Sequence, residues 1–467
     1  MYRRRRKSSG LFKYLVLLAF IGLVIYIAPQ IYASRFKFNP QQILDHSILK
    51  EKTFDSKVIE VVSPKNGIKA YLIEDNTNPI ISMSFLFKNA GLASDDADKR
   101  GISNIVAALL LEGTDSMDAT ALKDEMEDRA IGIGFSAGLD DFTGSLITTS
   151  ENQETAYALL RDVLGSPRFA DKELELAKQR TNNAFLRQKE HPASVLGVEA
   201  ARFIYGSHPY GRNPLGDRDD IMRLKRDDLL DFVRSRLTRN NLIVGVAGDI
   251  SPEKLGLVLD EIFGVLQKSG STNFVRQADI AFNRRAKNVS RRTGQNISVF
   301  AAPGVARSDK DFYPLFVANH ILGGSGLNSR LSVAAREKEG LTYSIYSYMS
   351  LADKSPLLQG SFSSTKENFA ELTGILNREW QRFGTEGATE EEVENAKNYL
   401  VSSYNLRFSS ISNLADILMY MQKENLGLDF LQTRNDKIRK ITKDDVNKAA
   451  AKYFRPENML FVNIGEF

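Results

Sequence analysis

The chain has no cysteine, only four histidines and a single tryptophan in 467 residues. Without cysteine there can be no disulfide, thiolate zinc site or cysteine nucleophile. The histidines are His46, His191, His208 and His320, and no two lie closer than 17 residues. A local two-histidine metal motif is therefore absent. Strong charge of one sign is also missing from the body of the chain. The net charge is +4, but Arg3, Arg4, Arg5, Arg6, Lys7 and Lys13 supply six positive charges before the fold begins, leaving about −2 for the rest. That balance gives no reason to expect nucleic-acid binding.

A long apolar run is present at the N-terminus. No charge occurs between Lys13 and Arg35, a stretch of 21 residues. That is just long enough to span a bilayer as a helix. The basic flank places the N-terminus in the cytoplasm and the body outside it. The rival reading is a cleaved signal peptide, with Pro29 breaking the run and Ile31-Tyr32-Ala33 as a cleavage site. The expected location is anchored to an inner membrane, or soluble in the periplasm or another extracytoplasmic space. Residues 1–33 form the basic tail and the transmembrane or signal segment, and 34–55 a polar tether.

From Val58 the pattern is strand-like: VIEVV, then KAYLIED after Asn66-Gly67, then ISMSFLF. The Asn-Gly pair marks a hairpin turn. Helices are expected at 102–111, 122–130, 155–164, 172–188 and 224–237, from apolar residues at helical spacing. Residues 131–149 alternate as two strands around Asp140-Asp141, 205–221 are rich in turns, and 242–247 form an apolar strand. The polar stretch 268–296 reads as an inter-domain linker.

The second half repeats the first. LKRDDL at 224–229 matches ITKDDV at 441–446, and RNNLIVGVAGD at 239–249 matches PENMLFVNIGE at 456–466. LELAKQRTNNAFL near 174 matches VENAKNYLVSSYNL near 393. Near-constant offset implies two copies of one α+β unit, with helices segregated to one face of each sheet. The first spans 56–267 and the second 297–467.

The stretch GGSGLNSRLSVAAREKEGLTY at 323–343 has a Gly-rich opening and helical spacing from Leu327 to Lys338. Gly340 is expected to close that helix, and 343–348 to form a strand. Arg336 and Tyr343 then flank a tight helix-to-strand turn, where a guanidinium and a phenol can grip a peptide carbonyl or carboxylate.

Three stretches together resemble the M16 (pitrilysin/insulinase-type) metallopeptidase family over roughly residues 55–467. They are GGSGLNSRL…REKEGLTYS at 323–344, HPYGRNPLG at 208–216 and GISNIVAALLLEGT at 101–114. The resemblance implies a clam-like pair of α+β domains, each with a mainly antiparallel sheet and flanking helices. It also implies a zinc-binding His-x-x-Glu-His on the helix after Gly101, with a glutamate as water activator. Here those positions hold Asn104, Ala107 and Ala108. The third ligand position falls near Leu186, with Glu173, Glu175 and Glu190 out of register. Alanine and leucine cannot ligate a metal, so no cofactor is expected in this chain and the zinc is expected in a partner.

In the family, the pair matching Arg336 and Tyr343 holds the substrate backbone across from the zinc. The expected function is a non-catalytic subunit that binds peptide and completes the active site of a zinc-bearing M16 homologue. The expected partners are that homologue, a peptide, and the membrane through the N-terminal segment. A stand-alone peptide-binding or scaffold protein is the first alternative, and an active zinc endopeptidase with a displaced site the second. His208 and His320 are read as structural.

Overall fold

The computed structural model describes residues 57–283 and 286–467. The expected N-terminal span and tether lie outside them. Among the described residues no helix is long and apolar enough to cross a membrane.

The first half builds a six-stranded sheet. Its strands are β1 (Ile59–Val62), β2 (Lys69–Glu74), β3 (Ile80–Phe87), β4 (Gly132–Ala137), β5 (Phe142–Thr149) and β6 (Leu242–Gly248), in the order β1-β2-β6-β3-β5-β4. All neighbours are antiparallel except β2 and β6. Gly67, at φ 68°, makes the β1–β2 turn, a conformation open to glycine at no steric cost. The helices are α1 (Ile102–Leu109), α2 (Ala119–Asp128), α3 (Gln153–Gly165), α4 (Asp171–Glu190), α5 (Pro192–Tyr205), α6 (Arg218–Arg223), α7 (Arg226–Arg236) and α8 (Pro252–Phe263). The segment expected as one helix over 224–237 is shorter, because Leu224 and Lys225 are extended between α6 and α7.

The second half repeats this plan with β7 (Ala286–Ser290), β8 (Asn296–Pro303), β9 (Ile345–Ala352), β10 (Ser355–Ser364) and β11 (Leu460–Gly465), ordered β7-β11-β8-β10-β9. β7 runs parallel to β11, as β2 does to β6. The helices are α9 (Phe312–Asn319), α10 (Phe369–Glu386), α11 (Glu390–Ser402), α12 (Ile411–Lys423), α13 (Phe430–Arg439) and α14 (Lys443–Tyr453). The repeat seen in the sequence maps β6 onto β11, α7 onto α14 and α4 onto α11. Six residues of the segment expected as linker are sheet, since Ala286–Ser290 form β7 and Asn296 opens β8.

One expectation fails. Helices do not keep to one face of each sheet. The outer face of each sheet packs on helices of its own half, in one core around Phe85, Val106 and Leu160 and another around Phe300, Trp380 and Val446. The opposite face is covered by a helix from the other half. α5 lays Leu196, Ala200 and Ile204 on Ala301, Leu357, Leu460, Val462 and Ile464 of the second sheet. α12 lays Leu414, Ala415 and Leu418 on Ile73 and Ala247 of the first. The approach is close: a Cβ on Gly245 of β6 would lie 2.3 Å from Ala415 O and from Met419 N. Ser84 Oγ donates to Asp416 (2.6 Å) and Gln422 Oε1 accepts from Val244 N (3.2 Å), fastening α12 to the sheet. A central strand buried on both faces is apolar throughout rather than alternating, as the wholly buried LIVGVAG of β6 shows.

Candidate functional site

The Gly-rich stretch folds as short pieces, not as one helix from Leu327 to Lys338. A π-helical turn covers His320–Gly324, a 3₁₀ turn Gly326–Asn328, an α turn Arg330–Ser332 and a second π-helical run Val333–Lys338. Gly323 is pressed against β9, where a Cβ would lie 2.8 Å from Ser347 N. Ser329 caps the next turn by accepting from Ser332 N (3.2 Å), the usual role of serine at that position. Arg330 is an anchor. Its guanidinium makes two 2.6 Å bonds to Glu392, a third to Gly387 O, and lies over the Phe383 ring. Gly340, at φ 64°, ends the run with its N–H on Arg336 O (3.1 Å).

Arg336 and Tyr343 project from this frame into solvent. Arg336 is exposed on the π-helical turn. Tyr343 is 82% exposed and precedes β9, which starts at Ile345 rather than at Tyr343. Between them Leu341 N bonds Ala335 O (3.0 Å), and Thr342 Oγ1 bonds Ser344 O and Ser363 O. The backbone between the two side chains is therefore pinned while the side chains are left open. Sequence reasoning passed over two neighbours, Tyr346 and Tyr348. Both are half-exposed on one face of β9, with stacked rings 6.3 Å apart. Their i, i+2 spacing was the available signal. Two donors and a tyrosine row suit an extended peptide.

Asn104, Ala107 and Ala108 share one face of α1 beside the buried Ile105, Val106 and Leu109; Ala108 is exposed, Asn104 half-buried, and Ala107 half-buried against the first core. Positions i, i+3 and i+4 share a helical face. Asn104 Nδ2 donates to Pro214 O (2.8 Å), and Leu186 on α4 is 54% exposed. Two alanines and a leucine offer no electron pair, and the asparagine amide is already engaged. These residues do not fit a zinc ion. Among the described residues no three His, Cys, Asp or Glu side chains are grouped to hold a metal.

His208 closes a turn, with Nδ1 accepting from Tyr210 N and Nε2 within 3.0 Å of Arg276 O. His320 is buried and stacks on Tyr399 at 5.0 Å, and burial pushes its pKa down to about 4.

A duplicated α+β unit with this strand order, a metal-incompetent motif helix and an exposed Arg/Tyr pair defines a peptidase-like chain without its metal residues. The chain is similar to the M16 peptidase family in sequence and in fold. Residues 223–400 match the family model described as "Peptidase M16 inactive domain". A protein from Helicobacter pylori described as "Non-peptidase homolog YmxG" is 24% identical over 374 residues, covering 79% of this chain and 86% of that one. The "Uncharacterized zinc protease YmxG" of Bacillus subtilis is 23% identical over 355 residues, 75% of this chain and 84% of its own. Among solved structures, a peptidase M16 inactive domain from Pseudomonas fluorescens superposes with TM-score 0.82 at 24% identity, covering 88% of this chain and 98% of that one. These two levels of likeness agree on the fold.

Proposed function

We propose that this chain is a non-catalytic M16 subunit that holds an extended peptide with Arg336 and Tyr343 and completes the active site of a zinc-bearing M16 partner. One observation carries the reading. The side chains that grip a peptide in this family stand exposed on a pinned turn, whereas the metal-ligand positions hold residues that cannot bind zinc. The H. pylori relative's description as a non-peptidase is in keeping with it. Fixed donors aimed at a developing oxyanion lower the barrier to acyl transfer, and they can be supplied across an interface. The guanidinium offers two parallel donors and the phenol one. The N-terminal run of 21 uncharged residues after a basic tail supports an extracytoplasmic location for the complex.

A stand-alone peptide-binding or scaffold role is the second reading. It is favoured by the groove of about 460 Å³ between the first sheet and α12, where Ser145, Ile147 and Tyr420 line a surface that needs no metal. The experiment is co-purification with an M16 protein carrying an intact zinc motif, followed by cleavage kinetics. Arg336→Ala and Tyr343→Phe should each lower kcat of the assembled complex by ~10²–10³ without changing its zinc content or assembly. No co-purifying zinc homologue, or wild-type rates in both variants, would replace this reading with the scaffold.

A further inference from the structure

Three arginines converge on one corner of the second half from three elements. Arg307 is in the loop between β8 and α9, Arg407 on the 3₁₀ turn Ser403–Phe408 that follows α11, and Arg434 on α13. Two of them lie on aromatic rings. The guanidinium carbon of Arg434 is 3.7 Å from the centre of the Tyr404 ring, and that of Arg307 is 4.0 Å from Phe312 and 5.4 Å from Phe430. Phe430 and Tyr404 share one buried cluster. A ring face attracts a cation, but it leaves the charge in place.

Arg434 is 7% exposed, and a buried charge is ordinarily matched by an opposite one. No carboxylate matches this one. Its Nη1 donates to Leu400 O (3.2 Å) and Asn435 Oδ1 (2.9 Å), both neutral. Leu400 is in the last turn of α11, where the carbonyls carry only a partial negative charge. The Nε and Nη2 of Arg434 make no hydrogen bond within the described chain and are not sealed from solvent. Arg307 is half-buried, with one long bond from Nη2 to Tyr313 OH (3.4 Å), and Arg407 is exposed. Among the described residues none of the three makes an ion pair.

The three charges also act on one another. Burial pushes the Arg434 pKa down to about 10, and the charges of Arg307 and Arg407 add to that shift. Burial raises the Tyr404 phenol, while Arg434, Arg407 and Arg307 all pull it the other way. Tyr404 is therefore the point that the three cations share. Glu424 feels Arg307 less than it feels Lys423 and Asp353, and makes no ion pair with it. Like charges gathered without a counter-charge repel, and an anion among them removes that repulsion. A carboxylate has two oxygens and one charge, enough for a single fork. The oxygens and double charge of a phosphate suit several guanidiniums at once.

We propose that Arg307, Arg407 and Arg434 bind a terminal phosphate group, carried as the headgroup of a phospholipid or free in solution. Arg434 supplies Nε and Nη2 from the buried side, Arg307 approaches from its loop, and Arg407 meets the group from solvent. The Tyr313 hydroxyl accepts from Arg307 and keeps its own proton to donate. Position supports the lipid source. Val58, the second described residue, packs in the same cluster as Tyr404, so the site is at the corner where the chain leads to its basic and apolar N-terminal segment. The site uses neither Arg336 nor Tyr343 and needs no partner subunit, so its failure would leave the function proposed above standing.

The test is calorimetric titration of the full chain in neutral detergent micelles. One arm adds sodium phosphate, with sodium chloride at equal ionic strength as the control for screening. The other adds micelles doped with phosphatidic acid, against micelles doped with diacylglycerol, which has the same chains and no phosphate. Saturable binding in the first arm alone identifies free phosphate as the ligand, in the second alone the lipid headgroup, and in both a site that takes either. Arg434→Met and Arg407→Glu should each weaken binding by roughly tenfold or more. Lys172→Glu, the same change of charge at an exposed position of α4, should bind as wild type does. Arg407 is exposed, so Arg407→Glu remains informative if Arg434→Met fails to fold. The bound ligand should also raise the thermal midpoint of the wild type and not that of Arg407→Glu, a difference that a purely structural arginine would not produce. Binding in neither arm, or undiminished binding by Arg407→Glu, would overturn the proposal.

Discussion

Lys423, at the C-terminal end of α12, donates to Asp141 across 282 residues of chain. Its ammonium also lies 3.1 Å from Asp353. Asp141 is in the β4–β5 turn and Asp353 in the β9–β10 turn, so the two equivalent turns of the repeat share one cation. Beside them Tyr210 OH donates to Asp140 and accepts from Lys354 N (2.9 Å), and Asp353 N donates to Asp140 Oδ2 (3.0 Å). Burial works against the Lys423 charge, yet the two carboxylates hold its pKa above the ordinary lysine value.

Lys423→Met should therefore destabilise the protein by about 3–5 kcal/mol, because removing one member of a buried ionic group leaves the others uncompensated. Chemical denaturation measures it. Adding Asp141→Asn and Asp353→Asn to the same chain should recover most of the loss. A single variant as stable as wild type would mean that water replaces the ammonium at no cost.

The exchange of α5 and α12 between halves predicts that neither half folds alone. Residues 57–267 without α12 expose the face of β6 carrying Ile243 and Ala247, and residues 268–467 without α5 expose Leu460, Val462 and Ile464. Expressed separately, both should aggregate or bind a hydrophobic dye. Expressed together, they should assemble into a soluble complex. A monomeric half with a cooperative unfolding transition would contradict this.

His320 sets an acid sensitivity. Its folded-state pKa of about 4 lies below the ordinary 6.5 because burial disfavours the imidazolium. The stability it contributes is full above pH 6.5 and is lost as pH falls through about 4. Over that window the wild type should lose roughly 3 kcal/mol more than His320→Phe, at 1.36 kcal/mol per pKa unit. Urea unfolding of both proteins at pH 7 and pH 4 gives the comparison, and parallel losses would show that His320 stays neutral or is solvated on protonation.

The zinc-motif face can be rebuilt. Asn104→His, Ala107→Glu and Ala108→His lie on one face of α1, and Leu186→Glu supplies the third ligand position on the neighbouring α4. The quadruple variant should retain close to one zinc per chain after dialysis, and the wild type none. It should also lose about 1 kcal/mol with the Asn104–Pro214 bond. Metal analysis decides. An apo quadruple variant would mean that the two helices no longer stand in ligand register.

Arg336→Ala and Tyr343→Phe should leave stability within about 0.5 kcal/mol of wild type, as exposed side chains away from packing do. A larger change in thermal midpoint would show that the pair supports the turn.

Much of the fold was legible from local pattern. The Asn66-Gly67 hairpin, the strands flanking Asp140-Asp141 and the helices from Gln153 and Asp171 appear where spacing and turn chemistry put them. That Asn104, Ala107 and Ala108 share one face of α1 was equally readable, from their i, i+3, i+4 spacing. Other features were harder to see. Pro192 and the Leu196, Ala200, Ile204 stripe signal α5, but a stripe does not say which sheet receives it. Leu327 to Lys338 has the spacing of one helix, yet close packing on β9 and the Arg330–Glu392 anchor divide it into turns. Tyr343 looked like the first residue of a strand, while pairing with β10 begins at Ile345.

By itself the sequence determined the duplication and the class of the repeated unit, since these depend on periodicity and on matching stretches at a constant offset. Only the tertiary structure decided that each half covers the other's sheet and that Lys423 joins two equivalent turns. Those outcomes depend on which surfaces meet after the chain has folded back over more than a hundred residues, and local propensity carries no information about that distance.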